Sequence, residues 1–252
     1  MGSGCVGALM VTPVCQPAPG PADRRGAPPG ASASRAGSGR PTLPQVTAPA
    51  TAPETFRRAV ESLAALRPRP EIELAEMRPP QRLAPWSAAW SAEVVSAAAG
   101  EPEPDVLVTG RLVLLHDPEG QEAWDGTLRL VTFVRAELDP EHANDPMLPE
   151  VAWSWLTGAL EESGAHATAV GGTVTQTSSV RFGDISGPAQ VCDLELRASW
   201  TPVLPDGVDG GVDGGIDAAD LTEHGTAFTT VLATAAGLPP VGVATLGARR
   251  LG

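Results

Sequence analysis

Residues Gly110–Trp155 read GRLVLLHDPEGQEAWDGTLRLVTFVRAELDPEHANDPMLPEVAWSW. Two strongly apolar runs, Asp105–His116 and Trp124–Ala136, flank a short polar stretch, which predicts an antiparallel strand pair. Asp117-Pro118-Glu119-Gly120 has Asp, Pro and Gly where a type I turn wants them, so the reversal is expected there. The nearly continuous apolar character of both runs implies central strands with both faces at least partly covered. The stretch then opens an amphipathic helix. Leu148, Val151, Ala152, Trp155, Leu156, Ala159 and Leu160 form one stripe, and Gly164 is a natural C-cap. Trp153 lies off that stripe, either packed on a second surface or exposed.

Working outward, Thr51-Ala52-Pro53-Glu54 has the capping-box pattern. Phe56, Ala59, Val60, Leu63 and Leu66 follow at helical spacing, until Pro68 and Pro70 end the first helix. Glu71–Met77 and Trp86–Val94 read as strands, the second on its alternation of Trp, Ala and Val with small or polar residues. Two more strands are expected at Ala167–Gln176 and Gln190–Trp200. In the latter, Cys192, Leu194, Leu196, Ala198 and Trp200 face in, while Val191, Asp193, Glu195, Arg197 and Ser199 face out. One wet face means an antiparallel sheet. A third helix is expected from Asp217 to Gly237, ahead of Pro239-Pro240. The fold class is therefore α+β: a single antiparallel sheet of five to six strands with three packed helices, in the order α-β-β-β-(β)-α-β-β-α. That order is similar to secretion-chaperone-like folds, an analogy that assigns no function.

Composition divides the chain of 252 residues. Residues 1–50 are dominated by Pro, Gly, Ala and Ser, and read as a disordered tail with too little to bury. Residues 51–240 form one domain, and 204–217 a flexible loop containing Asp206–Asp217, DGVDGGVDGGID; 241–252 is a C-terminal tail. The net charge is −13, and the Arg-only basic residues of the tail make the rest more negative still. Such a core is a poor fit to duplex nucleic acid, whose binding rests on neutralising phosphates, and to anionic membrane surfaces. No apolar run approaches the roughly 18 residues of a membrane span. Cys5, Cys15 and Cys192 make no disulfide framework, and the expectation is a cytoplasmic protein. The absence of Lys points to a GC-rich genome.

Few residues suggest chemistry. His116, Asp117, Glu122 and Asp125 cluster near the expected turn, but one His with scattered carboxylates gives no metal geometry, and a polar turn accounts for them. The Asp206–Asp217 repeat matches no calcium-loop pattern. Gly171-Gly172-Thr173 is too short for a phosphate cradle. Ser178 and Ser179 have no base nearby, Cys192 suits a buried small residue, and His224 a helix face. No catalytic residue, metal ligand or cofactor is implied. The binding candidates are of two kinds. Arg129 and Arg135 alternate to one side of their strand and, with Arg197 and Arg181, could share the wet face with Asp193 and Glu195. Six Trp outnumber four Phe and there is no Tyr; Trp153, then Trp124, would be partner anchors if exposed.

FRRAVESLAALRPRPEIEL (56–74), QRLAPWSAAWSAEV (81–94), VTGRLVLLHDPEGQEAWDGTLRLVTFVRAELDP (108–140), LPEVAWSWLTGAL (148–160) and TAAGLPP (234–240) resemble an actinobacterial protein family of unknown function, over roughly Glu54–Pro240. The resemblance implies a high-GC source and brings no activity, ligand or catalytic residue. It carries only a loose association with gene neighbourhoods holding a ribonuclease D-like exonuclease and haem-pathway genes. The leading expectation is a non-enzymatic binding or adaptor protein using a sheet face or a Trp-bearing surface, toward a protein partner or a second copy. The alternatives are an enzyme whose site gathers distant residues such as His116, Asp125 or Glu150, and an RNA-metabolism accessory factor with a positive Arg129/Arg135/Arg197 face.

Overall fold

The computed structural model describes residues 51–95, 105–139, 145–184, 190–204 and 219–240. In chain order these form α1 (Glu54–Ala64), β1 (Ile72–Met77), β2 (Trp86–Val95), β3 (Val106–Gln121), β4 (Gly126–Leu138), α2 (Leu148–Glu162), β5 (Ala167–Val180), β6 (Gln190–Pro202) and α3 (Thr222–Ala235). The six strands make one sheet in the order β1-β2-β3-β4-β6-β5. Every neighbouring pair is antiparallel. The fold is the α+β arrangement expected from the patterning. The long amino-terminal segment, the Asp206–Asp217 repeat and residues 241–252 lie outside the described residues.

The period-2 alternation of the strands decides which face the helices cover. Ala88, Trp90, Ala92 and Val94 of β2 pair with Leu114, Leu112, Gly110 and Val108 of β3. Those positions continue across β4 as Leu130, Thr132, Val134 and Ala136, and across β6 as Trp200, Ala198, Leu196 and Leu194. All of these are buried. Phe56, Val60 and Leu63 of α1, Leu156 of α2, and Phe228, Val231 and Leu232 of α3 close over them in one core. Each such large side chain contributes about 1.5–3 kcal/mol of gross burial energy. Gly110 lets α3 settle on β3, because a Cβ there would lie 2.6 Å from Leu232 Cδ2. Two polar contacts pin the helices: Ser62 Oγ accepts from Leu221 N at 2.9 Å, and the buried Trp200 Nε1–H donates to His224 Nδ1 at 3.1 Å.

Several local expectations are corrected. Thr51 does not cap α1; the N-cap is Pro53, without a side-chain bond, and Glu54 instead pairs with Arg57 and Arg58 one turn on. The strand pair does not reverse at Asp117–Gly120. Asp117 accepts from Glu119 N at 3.2 Å and from Gln121 Nε2, making a local bulge inside β3. The chain reverses in a 3-10 turn at Glu122–Trp124, with Asp125 left-handed at φ 56. Val151 belongs to no buried stripe and is exposed. The third helix begins at Thr222, where Asp220 Oδ1 accepts from Thr222 N at 2.8 Å. His224 lies in the core rather than on a free helix face, because it accepts from Trp200.

Candidate functional site

The open face carries the arginines singled out from the sequence. Arg129, Val131, Phe133 and Arg135 of β4 share it with Arg111, Val113 and Leu115 of β3 and with Asp193, Glu195, Arg197, Ser199 and Thr201 of β6. Arg135 makes a two-pronged pair with Asp193 at 2.8 and 3.2 Å, which raises the guanidinium's pKa. Arg197 pairs with Glu195 at 2.7 Å and lies over the Phe133 ring at 5.4 Å. Arg129 is buried and donates to hydroxyls, Thr201 Oγ1 at 3.1 Å and Ser199 Oγ at 2.7 Å. Burial pulls its pKa down. Thr201 Oγ1 in turn bonds the Trp124 carbonyl. The structure thus joins Trp124 to Arg129, and gives Arg135 and Arg197 a carboxylate each. A half-exposed pair such as Arg135–Asp193 is worth at most about 1 kcal/mol and leaves little charge for a phosphate backbone.

Trp153 sits elsewhere, on the helix-covered side of the sheet's far edge. A Cβ on Gly172 of β5 would lie 2.9 Å from the Trp153 ring and 2.3 Å from the Arg197 carbonyl oxygen. Only glycine there lets β5 lie against β6 with the indole across it. Just upstream, β5 holds one more residue than β6 between Thr168 and Gly171, a bulge with Ala169 at φ 48. Beside it an open recess of about 560 Å³ is lined by Trp153, Leu160, Glu161, His166, Ala167 and Val170. His116, Asp125 and Glu150 do not line this recess.

The two sheet edges differ in kind. β1 has six residues and displays Glu73 and Glu76. Glu73 faces Glu93 of β2 directly. β5 has fourteen residues, ATAVGGTVTQTSSV, with no charge among them, and it runs longer than the ten residues expected from the sequence. Among the described residues its only strand neighbour is β6. Among the described residues, Val170, Val180 and Phe182, on or just past β5, are exposed large apolar side chains. Phe182 is 80% exposed.

His116 and His224 serve packing. His116 Nδ1–H donates to the Thr127 carbonyl at 3.0 Å, its ring stacks 6.0 Å from Phe56, and burial lowers its pKa. Burial, with a smaller push from His166, brings His224 down to about 4. Among the described residues no group of three or more His, Cys, Asp or Glu could hold a metal ion, and no helix is long and apolar enough to cross a membrane.

Sequence reasoning missed the β5 edge. The uncharged, Thr- and Val-rich run from Thr173 to Val180 is a signal for a strand longer than ten residues; that the strand forms an edge follows only from the sheet order.

These features define an α+β protein whose sheet is helix-covered on one face and ends in one charged and one uncharged edge. The chain belongs to the family described as "Protein of unknown function (DUF3000)", whose model matches residues 52–244. No curated protein and no solved structure matches the chain, so the similarity of element order to secretion-chaperone folds carries no argument.

Proposed function

We propose that this is a binding protein, not an enzyme, and that it works through the β5 edge together with the Trp153 surface of α2. The observation that carries the reading is the edge itself. An edge strand offers a row of N–H and C=O groups to any extended chain, and proteins ordinarily blunt such edges with charge, shortness or cover. β1 is short and acidic, whereas β5 is long and uncharged. The exposed apolar residues around β5 supply contact area beside the backbone donors and acceptors. We place this work in the cytoplasm, on the acidic charge and the lack of a disulfide framework.

A photo-crosslinking residue at Thr175 of β5, and separately at Ala75 of β1 and Ser91 on the open face, tests the reading in expressing cells. A discrete protein adduct from position 175 alone is expected. Adducts from position 75 or 91 with none from 175 would overturn it.

A further inference from the structure

We propose that the occupant of the β5 edge is a second copy of this chain, paired antiparallel about a two-fold axis through Thr175, so that two six-stranded sheets become one of twelve. The proposal rests on the reading of β5 as the binding edge and names what fills it.

The argument begins with charge. Two copies at −13 each repel over most of their surfaces. β5 can meet its own copy without setting like charges against each other, because none of its fourteen residues is charged. β1 cannot, since Glu73 and Glu76 would be carried into the contact.

Self-complementarity comes next. In antiparallel pairing, residues on one face meet residues on the same face. On the open face β5 presents Thr173, Thr175, Thr177 and Ser179, the register partners of Arg197, Glu195, Asp193 and Val191. With the axis at Thr175, each Thr173 meets a Thr177 and the two Thr175 meet each other. Thr–Thr pairs of this kind favour strand pairing. The same register brings Val180 of one copy toward Val170 of the other, beside Trp153. The exposed Val170 and Val180 of β5 thereby meet across the contact. A two-fold contact of one surface with itself closes, so the assembly stops at a dimer, with each β1 left at an outer end.

Sedimentation equilibrium of the full chain, from micromolar to hundred-micromolar concentration, tests this. The wild-type chain is expected at twice the chain mass, with the dimer tightening as salt rises because the copies repel while the contact is uncharged. Thr175→Lys and Thr175→Glu, at an exposed position, each give folded monomer. Their equimolar mixture gives back the dimer, because Lys and Glu now face each other. A wild-type monomer throughout the range would overturn the proposal. So would a dimer that loosens with salt, or a mixture that stays monomeric. If wild type is monomeric while position 175 crosslinks a different protein in cells, the second copy fails but the binding edge stands.

Discussion

β1 and β5 close the two ends of one sheet and solve the edge problem in opposite ways. β1 is six residues long, sets Glu73 against Glu93, and is tied down beside Arg69, which bonds Glu71 and the Pro239 carbonyl at 2.8 Å. Glutamates directly opposite each other cost stability. The gain is an edge that no neighbouring chain can extend. β5 makes no such sacrifice: it is long, uncharged and flanked by exposed Val170, Val180 and Phe182. An uncharged edge in a chain with one guarded edge is the place to look for a partner.

The largest expected effect comes from disturbing how β5 is seated. Gly172→Ala forces a Cβ to within 2.3 Å of the Arg197 carbonyl oxygen, a backbone atom that cannot turn aside. A loss of about 1–3 kcal/mol is expected in denaturant unfolding, within the range seen for overpacking. Gly171→Ala meets nothing within 4 Å and should change stability by less than about 0.5 kcal/mol. Equal effects would show that Gly172 does not seat the edge.

Acid should act through the lock between α3 and β6. His224 is held near 4 in the fold and titrates near 6.5 when unfolded. The unfolded chain therefore takes up a proton first as pH falls. The stabilisation from a neutral His224 is complete above about 6.5 and is lost toward 4, at about 1.4 kcal/mol per pH unit. Protonation would also place an N–H on Nδ1, against the Trp200 indole N–H it now accepts from. Melting temperatures of wild type and His224→Gln across this window should show a shallower pH slope for the variant. Parallel slopes would remove His224 from the account.

The smallest effect is at β1 and sharpens the contrast most. Glu73→Thr, which ends the repulsion with Glu93, should raise stability by about 0.2–1 kcal/mol. Combined with Glu76→Thr, it leaves a second uncharged edge on each copy, and light scattering should then detect species larger than a dimer. An assembly state identical to wild type would mean that the glutamates do not guard this edge.

The helix-covered half of the structure was largely legible in the chain. Alternation in Gln190–Trp200 assigned both faces of β6, because a two-residue period leaves only one choice once a face is buried. The 3.6-residue stripe from Phe56 to Leu63 did the same for α1. The hairpin tip was not legible. Asp-Pro-x-Gly fits a type I turn, and only the pairing of Gln121 with Gly126 shows the bulge and the later reversal. The two-residue period puts Arg135 on one side of β4 and Arg197 on one side of β6. Their pairing with Asp193 and Glu195 depends on strand order, which skips from β4 to β6. The β5 edge was the hardest, because an edge is a property of the assembled sheet. No local pattern tells a strand that it has one neighbour rather than two.

Amide hydrogen exchange of the full chain at low and high concentration tests the central claim most directly. Amides of Thr173–Val180 should gain protection as concentration rises, while those of β1 and the open-face strands stay unchanged. Protection gained at β1, or β5 exchange that is the same at every concentration, would contradict the account.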